Sequence, residues 1–128
     1  MLKGIIKLLA VVVIVGLLSG CSIPENNTTV NDNLINKVNA VDDSWTNYDG
    51  EQELNNSMTR SQFIPYDANK DYKVNYPTYV SYYNGEMFIK TVLYENTPAK
   101  IDTVEEADGI IVSFNKKNKP GMQLVAFE

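Results

Sequence analysis

Asn84-Gly85 lies between residues 78–83 and 86–95, two runs dense in aromatic and β-branched side chains. A two-residue type I′ turn needs positive φ at both central positions, which Asn and Gly tolerate, so this dipeptide predicts an antiparallel hairpin pairing 79–83 with 86–92. Such a hairpin needs further strands, and residues 62–66, 71–76, 109–114 and 123–127 supply short runs of the same chemistry separated by turn signals. Within one of them Tyr72, Val74 and Tyr76 alternate with Lys73 and Asn75, the pattern of a strand with one wet face. Asn118-Lys119-Pro120-Gly121 reads as a second reversal, joining 110–114 to 123–127. The expectation is an all-β fold, a single antiparallel β-sandwich.

The amino terminus has a different character. Lys3 and Lys7 precede a charge-free apolar run, residues 8–18, too short to cross about 30 Å of hydrocarbon, and Leu18-Ser19-Gly20 leads directly into the only cysteine, Cys21. This segment resembles a bacterial lipobox. The resemblance implies removal of residues 1–20 as a signal peptide and a diacylglycerol on Cys21, with or without an N-acyl chain, and no other cofactor. An ordinary secretory peptide with Cys21 a bystander is the competing reading. Lipidation would place the protein at the cell membrane, facing the extracellular side, or in the periplasm or at the outer membrane if the host has one. Residues 21–43 are rich in Asn, Thr and Asp, a composition too polar to order itself, and are expected to form a flexible tether. Leu34, Ile35, Val38 and Val41 have helical spacing and leave a short amphipathic turn as an option. The folded domain is expected over 44–128.

Of 128 residues, 108 remain after such cleavage, enough for one small domain. With Cys21 lipidated no disulfide can form, so packing alone must hold the domain together. Nine basic residues against 16 acidic ones leave a charge of −7, which opposes nucleic-acid binding. The chain has no histidine, which removes Ser-His-Asp and Cys-His catalysis and histidine metal sites. Asp42, Asp43, Glu105, Glu106 and Asp108 could in principle form a glycosidase-like pair, but adjacent acids on a strand face opposite ways. The chain is therefore expected not to be an enzyme. Asp67-Ala68-Asn69-Lys70-Asp71 begins like an EF-hand loop yet lacks its glycine and its distant glutamate, so it reads as a turn, with no metal site assigned. Asn26, Asn27 and Asn55 begin N-x-Ser/Thr triplets, which matter only where N-glycosylation exists.

Trp45 and all eight tyrosines fall between residues 45 and 94. Aromatic rings give rigid contact area with a polar tip, so Trp45, Tyr79, Tyr82, Tyr83 and Tyr94 are the candidate ligand-binding residues, with Tyr76 beside them. Because neighbours on a strand alternate, Tyr82 and Tyr83 cannot both be core, and at least one should face solvent or a groove, unless both sheet faces are covered. The plain alternative makes most of these tyrosines half-buried sandwich residues.

The strings SQFIPYDANKDYKV, YVSYYNGEMFI and EEADGIIVSFNK resemble a small β-sandwich module of phage tail and baseplate proteins that also accompanies SGNH-type esterase domains. The matching positions are Phe63-Ile64-Pro65, Tyr72, Tyr82-Tyr83-Asn84, Phe88-Ile89, Ala107 and residues 110–113. The resemblance implies a jelly-roll-like sandwich with an accessory role, binding a cell-envelope glycan or a protein. Ile111 stands where the family often has arginine. The leading expectation is a membrane-anchored, non-catalytic binding module. The alternative is a prophage lipoprotein that excludes superinfecting phage by engaging a tail or DNA-injection component.

Overall fold

The computed structural model describes residues 33–127, and Cys21, the signal segment and residues 21–32 of the expected tether lie outside them. The described residues are all-β, a sandwich of two antiparallel sheets. Strands β1 (Val41–Thr46), β2 (Gln52–Arg60), β3 (Ile64–Pro65), β5 (Thr78–Asn84), β6 (Met87–Tyr94) and β8 (Gly109–Asn115) form the larger sheet. Its order is β1-β2-β8-β5-β6, with β3 also paired to β8. Strands β4 (Asp71–Val74), β7 (Ala99–Lys100) and β9 (Leu124–Phe127) form the smaller one, ordered β7-β4-β9.

The core follows from strand alternation. On β5 and β8 the cross-strand pairs Val80↔Val112, Tyr82↔Ile110 and Thr78↔Phe114 all point inward. They meet Tyr72 and Val74 of β4 and Leu124 of β9 from the other sheet. Val74, Val80, Val112, Phe114 and Leu124 are fully buried, each contributing roughly 1.5–3 kcal/mol by leaving water. β8 is buried on both faces, because the hairpin of β1 and β2 folds over the outer side of the sheet. There Thr46 N donates to Ser113 Oγ, and Asn47 O accepts from Thr91 Oγ1, which also pairs with Ser81 Oγ. β2 and β3 take the same edge of β8, and Ser61 bridges the gap between them. Its N donates to Val112 O and its Oγ accepts from Val112 N.

Four expectations are corrected. First, the domain does not begin at residue 44, since residues 33–40 pack onto it and β1 starts at Val41. Leu34 N donates to Leu124 O, Asn33 Oδ1 accepts from Leu124 N, Asn33 Nδ2 donates to Met122 O, and Ile35 is buried in the core. Polar composition misleads here because asparagine and glutamine side chains complete these backbone bonds, Gln62 holding both Leu34 O and Asn36 N. Second, the option of a short amphipathic helical turn through Leu34, Ile35, Val38 and Val41 is not taken up. Residues 37–39 form a turn, closed by Asn36 Oδ1 accepting from Val38 N and Asn39 N, and Val38 is exposed. Third, the hairpin turn is shifted by one residue. Asn84 pairs with Met87, so Gly85 and Glu86 form the loop, and Gly85 alone has positive φ, +59°, as a type II′ turn requires. Fourth, the 118–121 reversal does not pair β8 with β9. Both edges of β8 are already filled, by β5 and by β2 with β3, so the chain crosses to the smaller sheet and β9 pairs with β4.

Candidate functional site

The five aromatic candidates do not form one cluster. Tyr82 lies on the inner face of β5 with no exposed surface, and Tyr94 on β6 is half-buried beside it. Their hydroxyls bond each other at 2.9 Å, Tyr82 OH donates to Asp102 O at 3.0 Å, and Asp102 N donates to Tyr94 OH at 2.8 Å. Tyr66 joins the same network, donating to Asp102 O and accepting from Val104 N. These hydroxyls tie the 95–104 segment to the larger sheet, and burial pushes the pKa of Tyr82, Tyr94 and Tyr66 up. Tyr82 and Tyr94 are thus core and clamp residues and are withdrawn from the ligand-binding set. Tyr76, which had been set beside them, is partly exposed and lies against Gly121.

Trp45 and Tyr79 meet on the outer face of the larger sheet, their ring centroids 4.8 Å apart. Tyr48, absent from the sequence candidates, completes a trio, 5.9 Å from Tyr79 and 6.4 Å from Trp45. Trp45 Nε1 donates to Glu53 across the hairpin, so this trio chiefly fastens β1 and β2 to β5.

Tyr83 belongs to a third arrangement. It sits four residues along β5 from Tyr79 on the same outer face, with Phe63 at 5.8 Å on one side and Phe88 at 5.7 Å on the other. Two glycines make this possible. A Cβ on Gly109 would stand 1.9 Å from the Phe63 ring, and one on Gly50 would stand 2.4 Å from the Phe88 ring, so both rings lie directly on bare backbone. Between Phe63 and the hairpin loop runs an open groove of about 710 Å³. Tyr83 and Ile111 form its floor, Phe63 and Pro65 one wall, and Gly50 and Gln52 the other, with Glu86 and Asp108 at the rim. Burial raises the Tyr83 pKa, while the Thr46 and Gln52 side chains near its hydroxyl pull it the other way.

Sequence reasoning therefore placed one floor residue, Tyr83, and noted a second, Ile111, only as a family departure. It missed Phe63 as a wall and Gly50 and Gly109 as the surfaces under the rings. The available signal was the pair Phe63 and Gly109, which becomes informative only once β3 is known to pair with β8 at Pro65↔Gly109. Among the described residues no three Asp, Glu, His or Cys side chains converge on a metal site, and Asp67 Oδ1 instead accepts from Asn69 N to close its turn. No protein family, no curated protein and no solved structure matches the chain.

Proposed function

We propose that this protein is a membrane-anchored surface lipoprotein whose β-sandwich is a non-catalytic binding module, with its ligand held in the groove above Tyr83. The observation that carries the reading is the groove itself: an open, aromatic-walled depression of about 710 Å³ on a domain this small. Exposed aromatic surface of this kind is costly to maintain unless something covers it. Phe63 packs on Gly109 and beside Tyr83 yet remains 47% exposed. Glu86 and Asp108 are both exposed, which argues against a desolvated carboxylic acid of the kind a glycosidase uses to protonate its leaving group. The lipobox-like run ending at Cys21 supports attachment to the outer side of the cell membrane, where an envelope glycan or a neighbouring protein is the available partner.

The test is retention of the full chain, extracted in detergent, on peptidoglycan, wall polysaccharide and envelope-protein fractions. Phe63→Ala strips the groove wall, and Tyr48→Ala alters the separate aromatic trio. Saturable retention lost in Phe63→Ala alone supports the groove. Loss in Tyr48→Ala alone moves the site to the trio, and no retention on any fraction rejects a binding module.

A further inference from the structure

We infer that the groove above Tyr83 takes a cationic side chain, an arginine on an extended segment of a partner protein. The inference rests on the binding-module reading and names the chemistry of its ligand. Charge complementarity is the first argument. The charged residues lining the groove are Glu86 and Asp108, both acidic, on a chain whose net charge is itself negative. Glu86 makes no hydrogen bond or ion pair with the other described residues, so its carboxylate stands free at the rim. Asp108 lends one oxygen to Gly85 N at 2.9 Å, and its other oxygen keeps its lone pairs. Arg60 is held by Ser44 Oγ and its charge reaches the Tyr83 hydroxyl, but it does not line the groove.

Scarcity of polar groups is the second argument, and it favours a peptide over a sugar. Gln52 Nε2 gives one of its two hydrogens to Thr46 Oγ1 at 3.1 Å, and the floor and wall are otherwise Tyr83, Ile111, Phe63 and Pro65, so the free polar atoms of the lining are chiefly the carboxylate acceptors of Glu86 and Asp108. A sugar ring brings several hydroxyls, each of which loses a water partner on entry and must be given another. This groove offers acceptors but few donors. An arginine needs only one carboxylate for its head, while its stem lies on apolar surface and its planar guanidinium stacks on aromatic faces. Phe63, exposed and tilted 59° against Tyr83 at 5.8 Å, presents such a face, and Glu86 lines the same groove.

The experiment is a two-by-two comparison on the full chain in detergent micelles, followed by amide chemical shifts. The probes are the peptide acetyl-Phe-Arg-Phe-amide and its citrulline analogue, which keeps the shape of arginine and removes its charge. The proteins are the parent chain and Glu86→Gln, an exposed substitution outside the core. The expected result is movement of the Gly85 and Gly109 amides, a Kd about threefold to fivefold weaker for citrulline, and loss of that difference in Glu86→Gln, as for one partly exposed charge pair. Equal Kd values for the two peptides, or an unchanged difference in Glu86→Gln, overturn the inference. Muropeptide and wall-polysaccharide fragments are run in parallel. If they move the same amides while both peptides do not, the cationic assignment fails and the binding module stands; if no probe moves them, both fail.

Discussion

Ser61 carries more of the fold than its size suggests, since its hydroxyl is the partner that Val112 N finds where β2 and β3 part company. Ser61→Ala is expected to cost about 1–3 kcal/mol in chemical denaturation, because the amide it orphans is buried. Ser61→Thr, which restores the hydroxyl, should recover part of that loss. Gly109 acts oppositely, by what it lacks. Gly109→Ala must displace the Phe63 ring and so should abolish groove binding while moving the thermal midpoint little, since Phe63 is half in solvent. The buried tyrosines give a pH signature. Their pKa values are raised above the unfolded value near 10, so their contribution is intact below that pH and is lost as pH climbs through the folded values. Thermal midpoints should hold to about pH 10 and then fall. Tyr94→Phe should make the fall shallower, and an unchanged slope would reject the assignment of the Tyr82 to Asp102 network as its source.

At the scale of elements, the apolar strands were legible and the polar ones were not. β5, β6, β8, β4 and β9 announce themselves because their alternation or continuous hydrophobicity records which faces are buried. β2, with the sequence QELNNSMTR, shows no such record, being mostly exposed and held by backbone pairing to β1 and to the end of β8. β1 is similar, with a register shift at Asp43, whose φ of +64° leaves its carboxylate beside Lys116. The same blindness placed the domain boundary late. Ile35→Ala is expected to destabilise by about 2–5 kcal/mol, as for any large core residue reduced to alanine, and a chain begun at residue 44 should fail to show a cooperative transition. The groove escaped sequence reading for a related reason. Its walls come from β3 and from the hairpin loop at Gly50, which meet only because β2 turns back over the outer face of the sheet.

For the whole molecule, the two faces of the larger sheet have different tasks. The inner face supplies stability through Val80, Tyr82, Val112 and Phe114 against the smaller sheet, while the outer face holds the aromatic trio and the groove. A substitution such as Phe114→Ala should therefore remove about 3–5 kcal/mol and abolish binding only by unfolding. Phe63→Ala should do the reverse. Labelled palmitate is expected to be incorporated into the protein in growing cells and not into Cys21→Ser, and equal incorporation, or none in either, would reject lipid anchoring at Cys21. The Asn33 clamp on β9 adds a mechanical consequence. Were a partner to bind above Tyr83, a pull on the chain preceding Asn33 would enter the domain at the bonds from Asn33 to Leu124 and Met122. Those bonds lie on the smaller sheet and its approach, away from the groove on the outer face of the larger one, so their loss would leave the groove's own lining contacts in place.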